Sequence, residues 1–100
     1  MNIDKIDIVN NNIKLTILPE EHKVIKADLV TDITEEEIDE FFRIISVWDN
    51  NYYSSTGFDG NGFTVRIYYD GKVDTFKGIR KMPDNYNDFN TFVRTLNDRR

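Results

Sequence analysis

The chain has 100 residues, 39% of them hydrophobic and 13% aromatic, with no cysteine and a formal net charge of −5. That length makes a single domain spanning residues 1–100, with one core that takes about two-thirds of the unfolded surface out of water, and the absence of cysteine excludes disulfides, thiolate nucleophiles and thiolate metal sites together. No window approaches the roughly 18 consecutive apolar residues of a membrane span, and the start MNIDKIDIV lacks the basic-then-apolar pattern of an export signal, so a soluble cytoplasmic protein beginning at its native Met1 is expected.

In chain order, Ile3 to Val9 reads as an irregular strand, and Asn10-Asn11-Asn12 follows as a bend, because Asn accepts left-handed backbone angles. Ile13, Leu15 and Ile17 alternate with Lys14 and Thr16 as a half-buried strand. Pro19-Glu20-Glu21-His22 turns the chain, and Ile25, Ala27 and Leu29 alternate with Lys26 and Asp28 as a third strand. Thr34-Glu35-Glu36-Glu37 is a capping box, in which each side chain satisfies a backbone donor of the other. Behind it Ile38, Phe41, Phe42, Ile45 and Trp48 form one helical stripe for the sheet. The outer side carries Glu36, Asp39, Glu40 and Arg43, with Asp39 and Arg43 an opposite-charge pair at i,i+4.

Asp49 to Gly62 is either a long loop or a strand from Tyr52 to Phe58 that hairpins through Asp59-Gly60-Asn61-Gly62 into Phe63. The hairpin is preferred, since long structureless loops are uncommon in compact domains. Phe63 to Phe76 is the clearest local signal: two β-branched and aromatic runs joined by Asp70-Gly71, the pair that a tight type I′ turn selects. Within it Phe63, Val65, Ile67 and Tyr69 form the apolar face. Gly78 to Pro83 closes the second arm, Asn85 or Asn87 caps a last helix, and Phe89, Phe92, Val93 and Leu96 form its buried stripe. The expected fold is α+β, an antiparallel sheet in the order βββ-α-βββ-α with two helices packed on one face.

From Trp48 on, the run through Tyr52, Asp59-Gly60, the hairpin, Gly78, Pro83-Asp84-Asn85-Tyr86, Phe89 and Leu96 resembles small bacterial and phage proteins of the toxin-immunity or anti-defence inhibitor kind. In that pattern an Asp-Gly precedes a strand pair, and a Gly and then a Pro-x-Asn-aromatic lead into the final helix. It covers about half of the chain, and its residues are mostly turn and cap residues, which specify a scaffold more than a function. The resemblance implies a protein that binds and blocks a partner.

Residue chemistry narrows the function further. A metal site lacks cysteines and a histidine pair, and Asp59-Gly60-Asn61-Gly62 has too few acids for a calcium loop. His22, the single histidine, sits in a turn beside two glutamates, which is the setting of a solvated residue. A carboxylate pair of Asp59 with Asp74 has nothing in the sequence to bring it together. With no convergent catalytic group, the chain is expected not to be an enzyme and to need no cofactor or metal.

Residues 1–40 hold eleven acids and four bases, whereas residues 41–100 hold seven acids and nine bases. An acidic half is repelled by phosphates and drawn to basic protein surfaces, so a protein partner such as a nuclease toxin or defence enzyme is favoured over nucleic acid or membrane. The residues expected to meet it are Glu35, Glu36, Glu37, Asp39 and Glu40, a carboxylate row standing where phosphates would, with Tyr52, Tyr53 and Asp59 as further contacts. The alternative is a single-stranded nucleic-acid module using Arg66, Tyr68, Lys72, Lys77, Arg80 and Lys81, and a homodimer through the Tyr52 to Phe58 edge is a third arrangement.

Overall fold

The computed structural model describes residues 2–53 and 62–100. Across them the chain forms β1 (Ile3–Asn10), β2 (Ile13–Leu18), β3 (Lys23–Lys26), β4 (Leu29–Asp32), α1 (Glu35–Ile45), β5 (Asn51–Tyr53), β6 (Gly62–Tyr69), β7 (Lys72–Ile79) and α2 (Tyr86–Asn97). The strands among these residues make one sheet in the order β4-β3-β2-β1-β6-β7-β5. Every pairing is antiparallel except that of β5 with β7. The class is therefore α+β as expected, but four strands precede the first helix where three were expected, and the sheet is mixed.

The central hairpin forms as its turn residues dictate. Asp70 and Gly71 take φ of 50° and 74°, and Tyr69 pairs with Lys72 across a two-residue loop. Asn11, at φ 55°, does the same between β1 and β2, where Asn10 pairs with Ile13. β1 lies between β2 and β6, with Ile6 opposite Ile17 on one side and Ile67 on the other, so the first strand of the chain is the middle of the sheet.

Two expectations are corrected. The third strand does not run through Ile25, Ala27 and Leu29: it stops at Lys26, Ala27 turns at φ 53°, and a fourth strand returns from Leu29. The inward residue of β3 is Val24, fully buried, whereas Leu29 is exposed. The segment expected from Tyr52 to Phe58 does not hairpin onto β6, whose two edges are occupied by β1 and β7. Its first part, Asn51–Tyr53, instead pairs in parallel with Lys77, Gly78 and Ile79. The remainder, with Phe58 and Asp59, lies outside the described residues.

Both helices cover the same face of the sheet. α1 buries Ile38, Phe41, Ile44 and Ile45, and α2 buries Phe89, Phe92, Val93 and Leu96, against Ile6, Ile8, Leu15, Ile17, Phe63, Val65 and Ile67. Phe41 meets Phe92 at 5.8 Å between ring centroids, and Trp48 packs on Phe63 and Phe89 at 5.0 Å each. Asn10, buried among these, is satisfied: its amide donates to Asn90 Oδ1 at 2.9 Å, and its carbonyl accepts from Tyr86 Oη at 2.7 Å. Asn85 occupies the N-cap position of α2 but makes no side-chain cap there. It bridges the helices instead, accepting from Trp48 Nε1 at 2.6 Å and donating to the Ile44 carbonyl near the end of α1 at 2.8 Å. Among the described residues the other face of the sheet carries no helix.

Candidate functional site

The capping box of α1 forms in full. Glu37 N–H donates to Thr34 Oγ1 at 3.1 Å, and Glu37 Oε1 accepts from Thr34 N–H at 2.9 Å. The five acids of this helix are nonetheless not one uniform row. Glu37 is turned toward the C-terminal segment, where Arg99 grips it with both guanidinium nitrogens, Nη1 to Oε1 at 2.9 Å and Nη2 to Oε2. That ion pair holds the Glu37 carboxyl below the usual glutamate range and raises Arg99 above its own. Glu40 pairs with Arg43 at 2.6 Å, so the expected Asp39–Arg43 pair is replaced by an i,i+3 one. Glu35 meets His22 Nε2 at 2.8 Å, His22 being held at φ 54° in its turn. Glu36 and Asp39 are exposed, with no ion pair among the described residues.

The tyrosines expected beside this helix separate. Tyr52 packs against the core, and its hydroxyl accepts from the Asp49 N–H at 2.9 Å. Tyr53 is 62% exposed, but its pairing with Ile79 places it on the helix-free face of the sheet. Asp59 lies outside the described residues. The acidic helix and Tyr53 therefore do not share a surface.

What the helix does share a surface with is a cleft that the sequence did not single out. Between α1 and the β6–β7 hairpin lies a hollow of about 520 Å³, walled by the half-buried Phe42, Tyr69 and Phe76 and floored by Ile45, Trp48 and Ile67. Asp74 stands in it, because pairing with the inward-facing Ile67 puts its side chain on the helix side of β7. Tyr69 Oη donates to Asp74 Oδ2 at 3.1 Å, and this hydrogen bond raises the ionisation of the phenol above its ordinary value. A smaller hollow of about 290 Å³ shares Ile3 and Phe42 with the cleft and adds Glu20, Glu35 and Asp39. Glu35, Asp39, Phe42 and Ser46 follow i, i+4, i+7 and i+11 along α1, so one helical stripe borders both. The signal for Asp74 was available in the hairpin register, which puts a carboxylate opposite an apolar inward residue.

The helix-free face has a different charge. Lys5, Lys14, Arg66 and Lys77 lie on it, with Asp7 among them. Lys5 sits 4.8 Å above the Tyr68 ring and 3.7 Å from Asp7, which also accepts from Thr16 Oγ1 at 2.9 Å. Lys72 lies beside the hairpin turn, and Arg80 and Lys81 follow β7, so the basic residues expected to form one track are spread over the face and its end.

Among the described residues no group of three or more potential ligands could hold a metal ion, and no helix is long and apolar enough to cross a membrane. Comparison with known proteins finds no matching family model, no matching curated protein and no matching solved structure.

Proposed function

We propose that this protein binds and inhibits a partner protein through the acidic side of α1, in the manner of an immunity or anti-defence inhibitor whose carboxylates occupy a phosphate-binding groove. The observation that carries the reading is that Glu35 and Asp39 line one hollow and Asp74 the cleft adjoining it, the two sharing Ile3 and Phe42, with no lysine or arginine in either lining. A surface of that kind attracts a basic groove and repels nucleic acid. Three of the five acids are already held by His22, Arg99 and Arg43, which leaves Glu36 and Asp39 as the carboxylates most available to a partner.

The test is affinity capture from the host at low and at high salt, with the wild-type chain and a Glu36→Lys/Asp39→Lys/Glu40→Lys variant as baits. A nuclease or defence enzyme retained and inhibited by the wild type, and neither retained nor inhibited by the variant, is the expected result. Equal retention and inhibition by both baits overturns the reading.

A second reading rests on the helix-free face, where Lys5 pairs with Tyr68, Arg66 lies on the same face of β6, and Lys14 and Lys77 lie further along the sheet in the row of Thr64, basic residues with one aromatic that suit a single-stranded nucleic acid. It ranks second because Tyr68 already carries Lys5 over its ring and the whole chain bears −5. A single-stranded oligonucleotide that shows no gel shift at about 50 mM salt removes it, since phosphate contacts are strongest there.

A further inference from the structure

The cleft between α1 and the β6–β7 hairpin has a composition that selects its occupant. Its apolar walls are aromatic: Phe42 from the helix faces Tyr69 and Phe76 from the sheet. Its polar groups are mainly acceptors. Asp74 is a carboxylate, and the Tyr69 hydroxyl hydrogen is already given to Asp74 Oδ2. Ser46 spends its hydroxyl hydrogen on the Arg43 carbonyl at 2.7 Å, and Asn50 Nδ2 gives one of its two hydrogens to the Thr75 carbonyl at 2.9 Å. What remains is one carboxylate, ring faces and a single spare amide hydrogen on Asn50, next to a second hollow edged by Glu20, Glu35 and Asp39. An anion meets the Asp74 carboxylate there, and a purely apolar group leaves that carboxylate without a partner.

We infer that this cleft is the docking site for an arginine side chain of the partner protein, its aliphatic stem lying between Phe42 and Phe76 and its guanidinium meeting Asp74. The inference rests on the reading that α1 faces a basic protein, and it names the anchor that such a partner inserts. Guanidinium suits the site better than ammonium. It is planar, stacks on aromatic rings, and brings five donors to a site whose one charged group is a carboxylate. The hydrogen bond from Tyr69 fixes one oxygen of Asp74 and leaves Oδ1 to accept, so the carboxylate is held in place before the partner arrives. The acids around the adjoining hollow extend the same preference to a second cationic residue, which gives a peptide of alternating basic and apolar side chains a direction along the helix.

The experiment is amide-resolved NMR titration of the full chain with an acetylated, amidated Leu-Arg-Leu-Arg peptide, and with the same peptide carrying citrulline for arginine. Citrulline keeps the shape and removes the charge. The expected result is shifts at Ser46, Asn50, Tyr69, Asp74 and the Trp48 indole with the arginine peptide, and binding about tenfold weaker with citrulline or with Asp74→Asn protein. The Glu36→Lys/Asp39→Lys/Glu40→Lys protein should still show the Tyr69 and Asp74 shifts. Equal binding of the two peptides, unchanged binding by Asp74→Asn protein, or shifts confined to the exposed side of α1 each overturn the arginine site. The last of these leaves the acidic-face reading standing. Conversely, cleft shifts that persist while the charge-reversed chain still inhibits its captured partner remove the acidic-face reading alone.

Discussion

At the scale of single residues, the tightest constraint is Gly78. A methyl group there would lie 2.4 Å from Phe63 Cε1 and 2.7 Å from the Lys81 carbonyl oxygen, so both a core ring and the backbone leaving β7 would have to move. Gly78→Ala is expected to destabilise the fold by about 1–3 kcal/mol, read as a lower urea midpoint at constant slope. Buried Asn10 sets a second constraint. Tyr86→Phe removes the hydroxyl that donates to Asn10 Oδ1 and leaves that oxygen unsatisfied, a loss of about 1–2 kcal/mol by the same measurement. Ala27 works the other way. At φ 53° an L-residue bears about 1–2 kcal/mol of strain, and glycine relieves it while adding about 0.4–1 kcal/mol of unfolded-state entropy, so Ala27→Gly should raise stability by about 0.5–1 kcal/mol.

At the scale of elements, the first turn of α1 is tied to the C-terminal segment. Arg99 bridges Glu37 and the Asp32 carbonyl, and Lys26 donates to the carbonyls of Asn97 and Arg99 at the end of α2. Because Arg99 lowers the Glu37 pKa in the folded state, the stability from that pair is complete above about pH 4.3, the ordinary glutamate value, and drains away as pH falls through the lower folded value. Asp32, lowered by Lys23, acts in the same sense. Glu37→Gln should cost about 1 kcal/mol at neutral pH after screening, and should flatten the acid side of a stability profile measured by urea unfolding. Much of this architecture was legible. The capping box, the Asp70-Gly71 hairpin and the stripe of Phe89, Phe92, Val93 and Leu96 are local patterns, and each forms as read. The turn at Ala27-Asp28 was not legible, because alanine is a poor left-handed residue and signals no bend; missing it moved the β3 pattern by one residue and put Ile25 in place of Val24. The parallel pairing of β5 was equally hidden, since three residues carry no periodicity and their partner lies 26 positions on. Of the candidate site, the acidic helix could be read from sequence. The cleft could not, because Phe42, Tyr69, Asp74 and Phe76 come from three elements and each aromatic looked like core.

At the scale of the whole molecule, the charges are layered. The cleft and its adjoining hollow carry Glu35, Asp39 and Asp74, while the helix-free side carries Lys5, Lys14, Arg66 and Lys77 with Asp7 among them. On the proposed function, a basic partner would be turned toward α1 before contact, and raising the salt should slow its association far more than it speeds its release, as measured by stopped-flow or surface binding kinetics. The position of β1 carries one more consequence, for how the chain comes to be made. Its outer neighbour β6 arrives more than fifty residues later, so during synthesis the four-strand meander emerges with its future centre as a bare rim. Joining that rim to the later hairpin closes a long loop and should set the pace of folding. In pulse-labelling, the β1 amides that face β6 should gain protection last, and a nascent chain stalled before Gly62 should lean on chaperones or find a stray strand.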